Sequence, residues 1–210
     1  TLAMLTEVKE TLASSSIADL NDQWQKMTAR TKWMKFESFE RSRPMILGRE
    51  ALSSAIRRND YLQSILKISS SDSQLFEVKI VRDSLRIARH HDASQSALNR
   101  AMYLSKLASL PANLGLKIES VAQYDLAKIL WDQGQTTTSI QMLRQLKDRD
   151  DLKQGAFAVS RSEILADLGQ RAAEARLNKP DEIIAQCLVP AIKELNGRSQ
   201  GSEAGRVFHD

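Results

Sequence analysis

The stretch that decides the fold is Tyr124–Leu146, with the sequence YDLAKILWDQGQTTTSIQMLRQL. Apolar residues recur in it at intervals of three and four, which is the periodicity of an amphipathic α-helix. The pattern stops at Gly134 and resumes within Thr136–Thr138, so the stretch predicts two helices joined by a tight glycine turn. The residues that we expect to hold this hairpin together are Leu126, Leu130, Trp131, Gly134, Ile140 and Leu143.

The first of these two helices is apolar around most of its circumference. Only a narrow polar stripe remains, and it carries Lys117, Asp125, Lys128 and Asp132. A helix of this kind is covered by protein on several sides, and the second helix cannot bury its apolar face alone. The hairpin therefore predicts neighbouring hairpins on both sides, which is the architecture of an α-solenoid. Because Lys128 lies on the polar stripe, its replacement by alanine is predicted to change the free energy of unfolding by only about half a kcal/mol.

The composition also favours an all-α protein and excludes several classes. Hydrophobic residues make up 42% of the 210 residues and aromatic residues only 5%, with 8 glycines and 4 prolines. The single cysteine, Cys187, cannot form an internal disulfide, and no apolar run reaches the roughly 20 residues of a membrane span. The net charge of +4 is a mild bias, and the alternation of acidic and basic residues favours solvated helix faces. We therefore expect neither direct nucleic-acid binding nor membrane binding.

The rest of the chain follows the helical pattern of the central hairpin. We predict about eight helices over residues 1–196, paired as antiparallel hairpins of degenerate tetratricopeptide- and HEAT-like repeats. Residues 197–206 are glycine-rich and predict a flexible loop, and residues 207–210 predict the start of a further, truncated helix. Pro44 is predicted in the first turn of a helix, whereas Pro190 lies inside a helix and predicts a kink. Both ends of the sequence indicate a piece of a longer chain.

Few side chains in the sequence are arranged for chemistry. His90 and His91 are adjacent, so on a helix they point about 100° apart and do not converge on one metal ion. The sequence has no nucleophile elbow, no glycine-rich phosphate loop, no catalytic-loop aspartate with its asparagine and no metal-binding aspartate motif. We therefore predict no catalytic, cofactor-binding or metal-binding residue in this segment.

Three runs of the sequence together carry a family resemblance. They are ALNRAMYLSKLA at 97–108, LWDQGQTTTSIQMLRQL at 130–146 and LADLGQRAAEARLNKPDEIIAQCLVPAIKEL at 165–195. Their order and spacing resemble the FAT domain of the phosphatidylinositol 3-kinase-related kinases and, within that family, its ATM and fungal Tel-type branch. The resemblance is good from about Ala97 to Phe208 and weaker before that.

This resemblance implies a non-catalytic scaffold. Such a segment supports the kinase domain and the homodimer of a nuclear serine/threonine protein kinase that signals DNA double-strand breaks and maintains telomeres. The implied partners are the kinase domain and the remaining solenoid of the same chain, together with a complex that senses DNA ends. ATP and Mg²⁺ are implied for the parent kinase and not for this segment.

The resemblance also suggests one modification site. Kinases of this family prefer serine or threonine before glutamine, and Ser199 precedes Gln200 within the glycine-rich stretch. Loops of this kind are exposed, so Ser199 is a possible site of self-phosphorylation.

An alternative interpretation is a free-standing tetratricopeptide-like adaptor that binds peptides in its concave groove. Adaptors of this class usually hold a peptide carboxylate with Asn, Lys and Arg side chains on the inner helices. Here Arg100, Lys117 and Lys128 are the candidates, although they do not form a repeated pattern. A kinase domain encoded beyond this segment would favour the scaffold over the adaptor.

Overall fold

The computed structural model describes residues 2–110, 118–153, 157 and 159–196. Every regular element within these ranges is a helix, and no strand occurs among them. We number ten helices: α1 (Leu2–Leu12), α2 (Ile17–Met34), α3 (Phe39–Arg58), α4 (Asp60–Leu66), α5 (Ser70–His90), α6 (Ser94–Ala108), α7 (Glu119–Asp132), α8 (Thr136–Lys147), α9 (Arg161–Glu174) and α10. The last, α10, has three parts: an α-helical turn at Pro180–Ile183, a π-helical segment at Ile184–Leu188 and an α-helix at Val189–Asn196.

The described ranges thus hold more helices than the predicted number of about eight. The side chain of Ser16 accepts the backbone N–H of Asp19 at 3.1 Å, and this N-cap starts α2 as a separate helix. Ser199 and the predicted loop and helix start at residues 197–210 lie outside the described residues.

Contacts divide the chain into two units, residues 1–116 and residues 117–210. The first unit contains α1–α6 and the second contains α7–α10. The prediction of one continuous solenoid over residues 1–196 stays a prediction.

The first unit is built around α5. The helices α2, α3, α4 and α6 all pack against it. A capping box fixes its beginning, because the side chains of Ser69 and Asp72 each accept the other residue's backbone N–H. The core around α5 contains Leu20, Met27, Ile56, Leu66, Ile68, Phe76 and Ile80.

Pro44 does not lie where the sequence analysis predicted it. The helix α3 begins at Phe39, so Pro44 is inside the helix and not in its first turn. The preceding turn is closed by the N–H groups of Arg41 and Ser42, which both donate to the carbonyl of Ser38. Proline lacks the N–H that would bond to the Glu40 carbonyl. Pro44 therefore follows the first turn of α3, in a helix that has already started.

In the second unit, α7 and α8 form the predicted hairpin, α9 packs against α8, and α10 packs against α9. The turn after α7 is a Schellman motif, in which the N–H of Gln135 donates to Leu130 O and the N–H of Gly134 donates to Trp131 O, both at 2.8 Å. Gly134 has a φ of 77°, a left-handed conformation that glycine adopts at little cost. The same left-handed conformation follows α4, α5 and α9, at Lys67, Asp92 and Arg176.

Pro190 lies inside α10, at the second residue after its π-helical segment. Proline has no N–H to donate to the carbonyl of Gln186, and the N–H of Val189 donates to Ile184 O, which is the wider bond of a π-helix. Beside this segment, α9 approaches closely at Gly169. A Cβ atom there would lie 3.1 Å from the Cβ of Cys187, so a glycine lets the two helices meet.

Candidate functional site

The residues predicted to hold the central hairpin together have two kinds of environment. Leu130, Ile140 and Leu143 are buried, as the apolar periodicity predicts. Leu126 and Trp131 are only half-buried, so they lie at the margin of the core. A Cβ atom at Gly134 would meet no heavy atom within 4 Å, which means that the turn requires the left-handed backbone and not the absence of a side chain.

A buried arginine joins three helices at this hairpin. Ser139 of α8 donates its hydroxyl to Ala127 O of α7 at 2.7 Å. Arg171 of α9 donates through Nη1 to the Ser139 Oγ at 2.9 Å and to Ala127 O at 3.3 Å. Its guanidinium lies 5.4 Å from the centre of the Trp131 ring, within the range of a cation–π interaction. Trp131 therefore packs against a cation and not only against apolar side chains.

Two carboxylates of α9, which lie nearer its N-terminus than Arg171 does, extend this cluster. The hydroxyl of Tyr124 donates to Asp167 Oδ2 at 2.8 Å. Lys128 Nζ lies 3.4 Å from Glu163 Oε1, 3.5 Å from Asp167 Oδ2 and 3.9 Å from the centre of the Tyr124 ring. Burial, and then the charges of Asp167 and Glu163, raise the pKa of Tyr124 far above its ordinary value, so its hydroxyl remains a donor. We call the set Tyr124, Lys128, Trp131, Ser139, Glu163, Asp167 and Arg171 the α7–α9 network.

These contacts correct the predicted polar stripe of α7. The Lys128 side chain is only 18% exposed, and Asp125 is buried. Asp132 is exposed, as predicted, and Lys117 lies outside the described residues. The sequence analysis did not place Lys128 in this network, because a polar stripe on one helix does not show whether water or the acidic face of another helix covers it.

Lys128→Ala is therefore expected to destabilise the second unit by about 1–2 kcal/mol and not by half a kcal/mol. The substitution removes a cation–π contact and leaves the partly buried Asp167 and Glu163 with one cation fewer. Chemical denaturation of the purified chain measures the difference. Lys193→Ala, at an exposed position of α10, is the matched control and should stay within half a kcal/mol. Equal effects for the two variants would contradict the network.

The first unit contains a comparable network between α1, α2 and α3. Both oxygens of the buried Glu7 accept from Arg49 at 2.7 Å, through Nε and Nη2. Arg30 Nη1 donates to Glu7 Oε1 at 3.1 Å, and Arg49 Nη1 donates to Thr31 Oγ1 at 3.0 Å. Burial alone would raise the pKa of Glu7, but the bonds and charges of Arg49 and Arg30 outweigh it and hold the pKa below its ordinary value of 4.5.

The lowered pKa of Glu7 predicts a loss of stability in acid. A carboxyl group with a depressed folded-state pKa contributes stability that is present above its unfolded pKa of about 4.5 and is lost as the pH falls through the folded value. We expect the melting temperature of the chain to fall steeply as the pH is lowered from 5 towards 2. The Glu7→Gln variant, which cannot ionise there, should melt lower at pH 7 and decline less. Parallel curves for the two proteins would contradict this role of Glu7.

Two further buried carboxylates join α5 to its neighbours. Glu77 is fully buried, and it accepts from Tyr103 of α6 at 2.7 Å and from Arg57 Nε of α3. Asp83 accepts from Trp24 Nε1 at 3.1 Å and from Thr28 Oγ1 at 3.0 Å, both on α2. Each carboxylate thus fixes the position of one or two helices relative to α5.

Two groups that could carry chemistry, His91 and Cys187, are engaged in contacts within the chain. His91 Nε2 lies 2.8 Å from Met34 O. Burial raises the pKa of the Cys187 thiol despite the nearby cations Lys147 and Arg144, which disfavours a reactive thiolate. Within the described ranges, no group of three or more His, Cys, Asp or Glu could hold a metal ion. A helix long and apolar enough to cross a membrane is likewise missing from those ranges.

The sequence analysis missed the network residues, although some carried a signal. Arg171 follows Ile164 and Leu168 at the spacing i, i+4, i+7, so it lies on the apolar face of its helix. A charged residue at a core position predicts a buried partner. The identity of that partner requires the packing of α7, α8 and α9, which the spacing does not give.

Comparisons with known proteins support the predicted family resemblance. No family model matches the chain. The chain is 49% identical over 211 residues to the serine/threonine-protein kinase tel1 of Emericella nidulans, and the match covers 100% of the chain and 8% of that kinase. The chain thus spans less than a tenth of this relative's length.

Solved structures give the same result. The chain matches a structure of the FAT and kinase domain of CtTel1 with a TM-score of 0.92 and 32% identity, over 99% of this chain and 15% of that one. It matches the complete CtTel1 dimer with C2 symmetry with the same TM-score and identity, over 8% of that chain. The predicted all-α solenoid class and the predicted resemblance are both confirmed, and the chain is homologous over essentially its whole length to a FAT-domain segment of the Tel1 serine/threonine-protein kinases.

Proposed function

We propose that the chain is a non-catalytic scaffold segment that holds the kinase domain and the dimer of its parent protein in position. The observation that carries this proposal is the match of 99% of the chain to the FAT and kinase domain of CtTel1. A scaffold can hold other domains in position only if its own helices are fixed relative to one another. The α7–α9 network and the bonds of Glu7 to Arg49 and Arg30 supply such fixation within each unit.

Exposed apolar side chains support stacking with further helices. In the first unit, α1 leaves Leu2 and Leu5 exposed, and in the second unit α10 leaves Ile184 and Val189 exposed. Solenoid repeats bury such surface against the next repeat. The remaining solenoid and the kinase domain of the same chain are the partners that we propose for these surfaces.

For the parent protein we propose a nuclear serine/threonine kinase that acts as a homodimer, signals DNA double-strand breaks together with a complex that senses DNA ends, and maintains telomeres. The names of the kinase relatives support the serine/threonine kinase, and the solved CtTel1 dimer supports the homodimer. The nuclear location, the signalling of DNA breaks and the maintenance of telomeres rest on the family resemblance. ATP and Mg²⁺ would bind in its kinase domain. The described glycines of this segment, Gly48, Gly134 and Gly169, lie within helices or at a helix end and do not form a phosphate loop.

The free-standing adaptor that binds peptides is the weaker candidate for the function of this chain. Of its three candidate residues, Arg100 donates to Glu50 Oε1 at 2.6 Å, and Lys128 belongs to the α7–α9 network. Both side chains are thus engaged within the chain, whereas a peptide-binding groove keeps its cations accessible to the ligand. Lys117 lies outside the described residues.

Cross-linking of the purified full-length protein tests the scaffold directly. Exposed lysines of this segment, such as Lys9, Lys32, Lys106 and Lys179, are expected to link to the kinase domain or to adjoining solenoid helices of the same protein. If these lysines form no links to the kinase domain or to adjoining solenoid helices, the scaffold is overturned and the adaptor is favoured.

The cellular part of the proposal needs its own experiment. We expect the full-length protein to be nuclear by fluorescence microscopy. A strain whose only copy carries a disrupted α7–α8 hairpin should have short telomeres and low survival after double-strand breaks. Normal telomeres and normal survival in a strain that lacks a folded hairpin would overturn this role.

A further inference from the structure

A cleft with a volume of about 460 Å³ lies in the first unit, where α3 and α6 both flank α5. Leu47 and Glu50 line it from α3, Arg100 lines it from α6, and Val81 lines it from α5. A volume of this size is within the range of ligand-binding pockets, about 300–1,000 Å³. We call it the α3–α6 cleft.

The α3 wall has the length of a short helix. Arg43, Leu47, Glu50, Ser54 and Arg58 all line the cleft, and their spacings of four, three, four and four residues place them on one helical face. Arg43 and Arg58 are 15 residues apart, which corresponds to about 22 Å along the helix axis. A trough between two helices that lie on a third is a typical site for an added helix.

The side chains of the cleft that remain available to a ligand carry positive charge. Glu50 is the one carboxylate among the described lining residues, and Arg100 bonds both of its oxygens, at 2.6 and 3.3 Å. Arg43 pairs with Glu40 at 3.6 Å in an exposed contact, which contributes little, and Arg58 is exposed. With three arginines against one glutamate, the lining carries a net charge of +2, and Arg43 and Arg58 at the two ends of the wall can bind an acidic ligand.

Between its two end arginines the α3 wall exposes one apolar side chain, Leu47. The Leu47 side chain is 48% exposed, between the charged ends of the α3 wall, whereas Val81 of α5 is buried beneath the floor of the cleft. An exposed leucine in a concave site is an anchor point for an apolar side chain of a partner. Nucleic acid fits this arrangement less well, because its backbone is charged along its whole length.

We propose that the α3–α6 cleft binds an acidic, amphipathic helix of a partner protein. Apolar side chains of that helix pack on Leu47, and carboxylates near its two ends pair with Arg43 and Arg58. The proposal adds an interaction surface to the scaffold and does not depend on the scaffold role.

Fluorescence anisotropy with the full-length protein tests this proposal. The probe is a fluorescein-labelled 16-residue peptide with leucines at i and i+4 in its middle and glutamates near both ends. We expect saturable binding that weakens as salt is added, because the exposed charges are screened. Arg58→Glu and Leu47→Glu should each weaken binding at least tenfold. Both residues are exposed, so the variants should fold, and thermal melting checks this.

Arg41→Glu is the matched control, since Arg41 is an exposed residue of α3 that does not line the cleft. It should change the affinity less than twofold. A charge swap gives the decisive result: a peptide with lysine in place of glutamate at one of its ends should bind Arg58→Glu better than it binds the unaltered protein. The proposal is overturned if the peptide does not saturate, if Arg58→Glu and Arg41→Glu bind it equally, or if a DNA duplex competes as well as the unlabelled peptide.

Discussion

Leu143→Asp is expected to unfold the central hairpin and to abolish the kinase activity of the full-length protein. The Leu143 side chain is completely buried in α8, which packs between α7 and α9. An aspartate there would be a buried carboxylate without a partner, at a cost of several kcal/mol. Because solenoid repeats share interfaces, the disruption should reach neighbouring helices. Thermal melting and phosphorylation of a substrate, both measured on the full-length protein, give the two readouts.

The matched control for this variant is Gln145→Asp, which introduces the same carboxylate at an exposed position of α8. It should melt like the unaltered protein and keep full activity. If Leu143→Asp melted at a lower temperature yet retained activity and dimerisation, the segment would be a passive spacer and the scaffold proposal would fail.

Arg57→Met is expected to destabilise the first unit by about 3–5 kcal/mol, because it leaves a fully buried carboxylate without its cation. Glu77 would then keep only the hydroxyl of Tyr103 as a donor. Chemical denaturation of the variant and of the unaltered protein measures the difference in the free energy of unfolding.

Two further variants isolate the cause of that effect. Arg58→Met changes the adjacent, exposed arginine and should cost less than half a kcal/mol. The double variant Arg57→Met with Glu77→Leu removes both charges and should recover much of the lost stability. A double variant as unstable as Arg57→Met alone would show that packing, and not the orphaned charge, causes the loss.

Apolar periodicity was sufficient to predict the central hairpin. Leu130, Ile140 and Leu143 are buried as predicted, because apolar side chains in a helix have one favourable environment regardless of which helix covers them. The turn was also predictable locally, because the left-handed conformation after α7 depends on the backbone of Gly134 itself and not on a distant partner.

Polar residues were harder to place because their environment depends on the partner. Lys128 is a solvated lysine if water covers its stripe and a network residue if Asp167 and Glu163 do. The spacing within α7 is identical in the two cases. Only the packing of α9 against the hairpin distinguishes them, and that packing is a long-range property of the chain.

The π-helical segment of α10 determines whether this helix tolerates the deletion of a residue. Its buried residues, Ile183, Cys187, Ala191 and Leu195, recur every four residues. On a regular α-helix each such step overshoots a full turn by about 40°, so three steps would spread the four side chains over about 120°. The wider turn at Ile184–Leu188 winds more slowly and brings them back towards one line. Removal of one residue from this segment would restore regular winding but turn Ile183 about 100° away from Gly169. The segment should therefore accept substitutions at its exposed positions far more readily than a deletion.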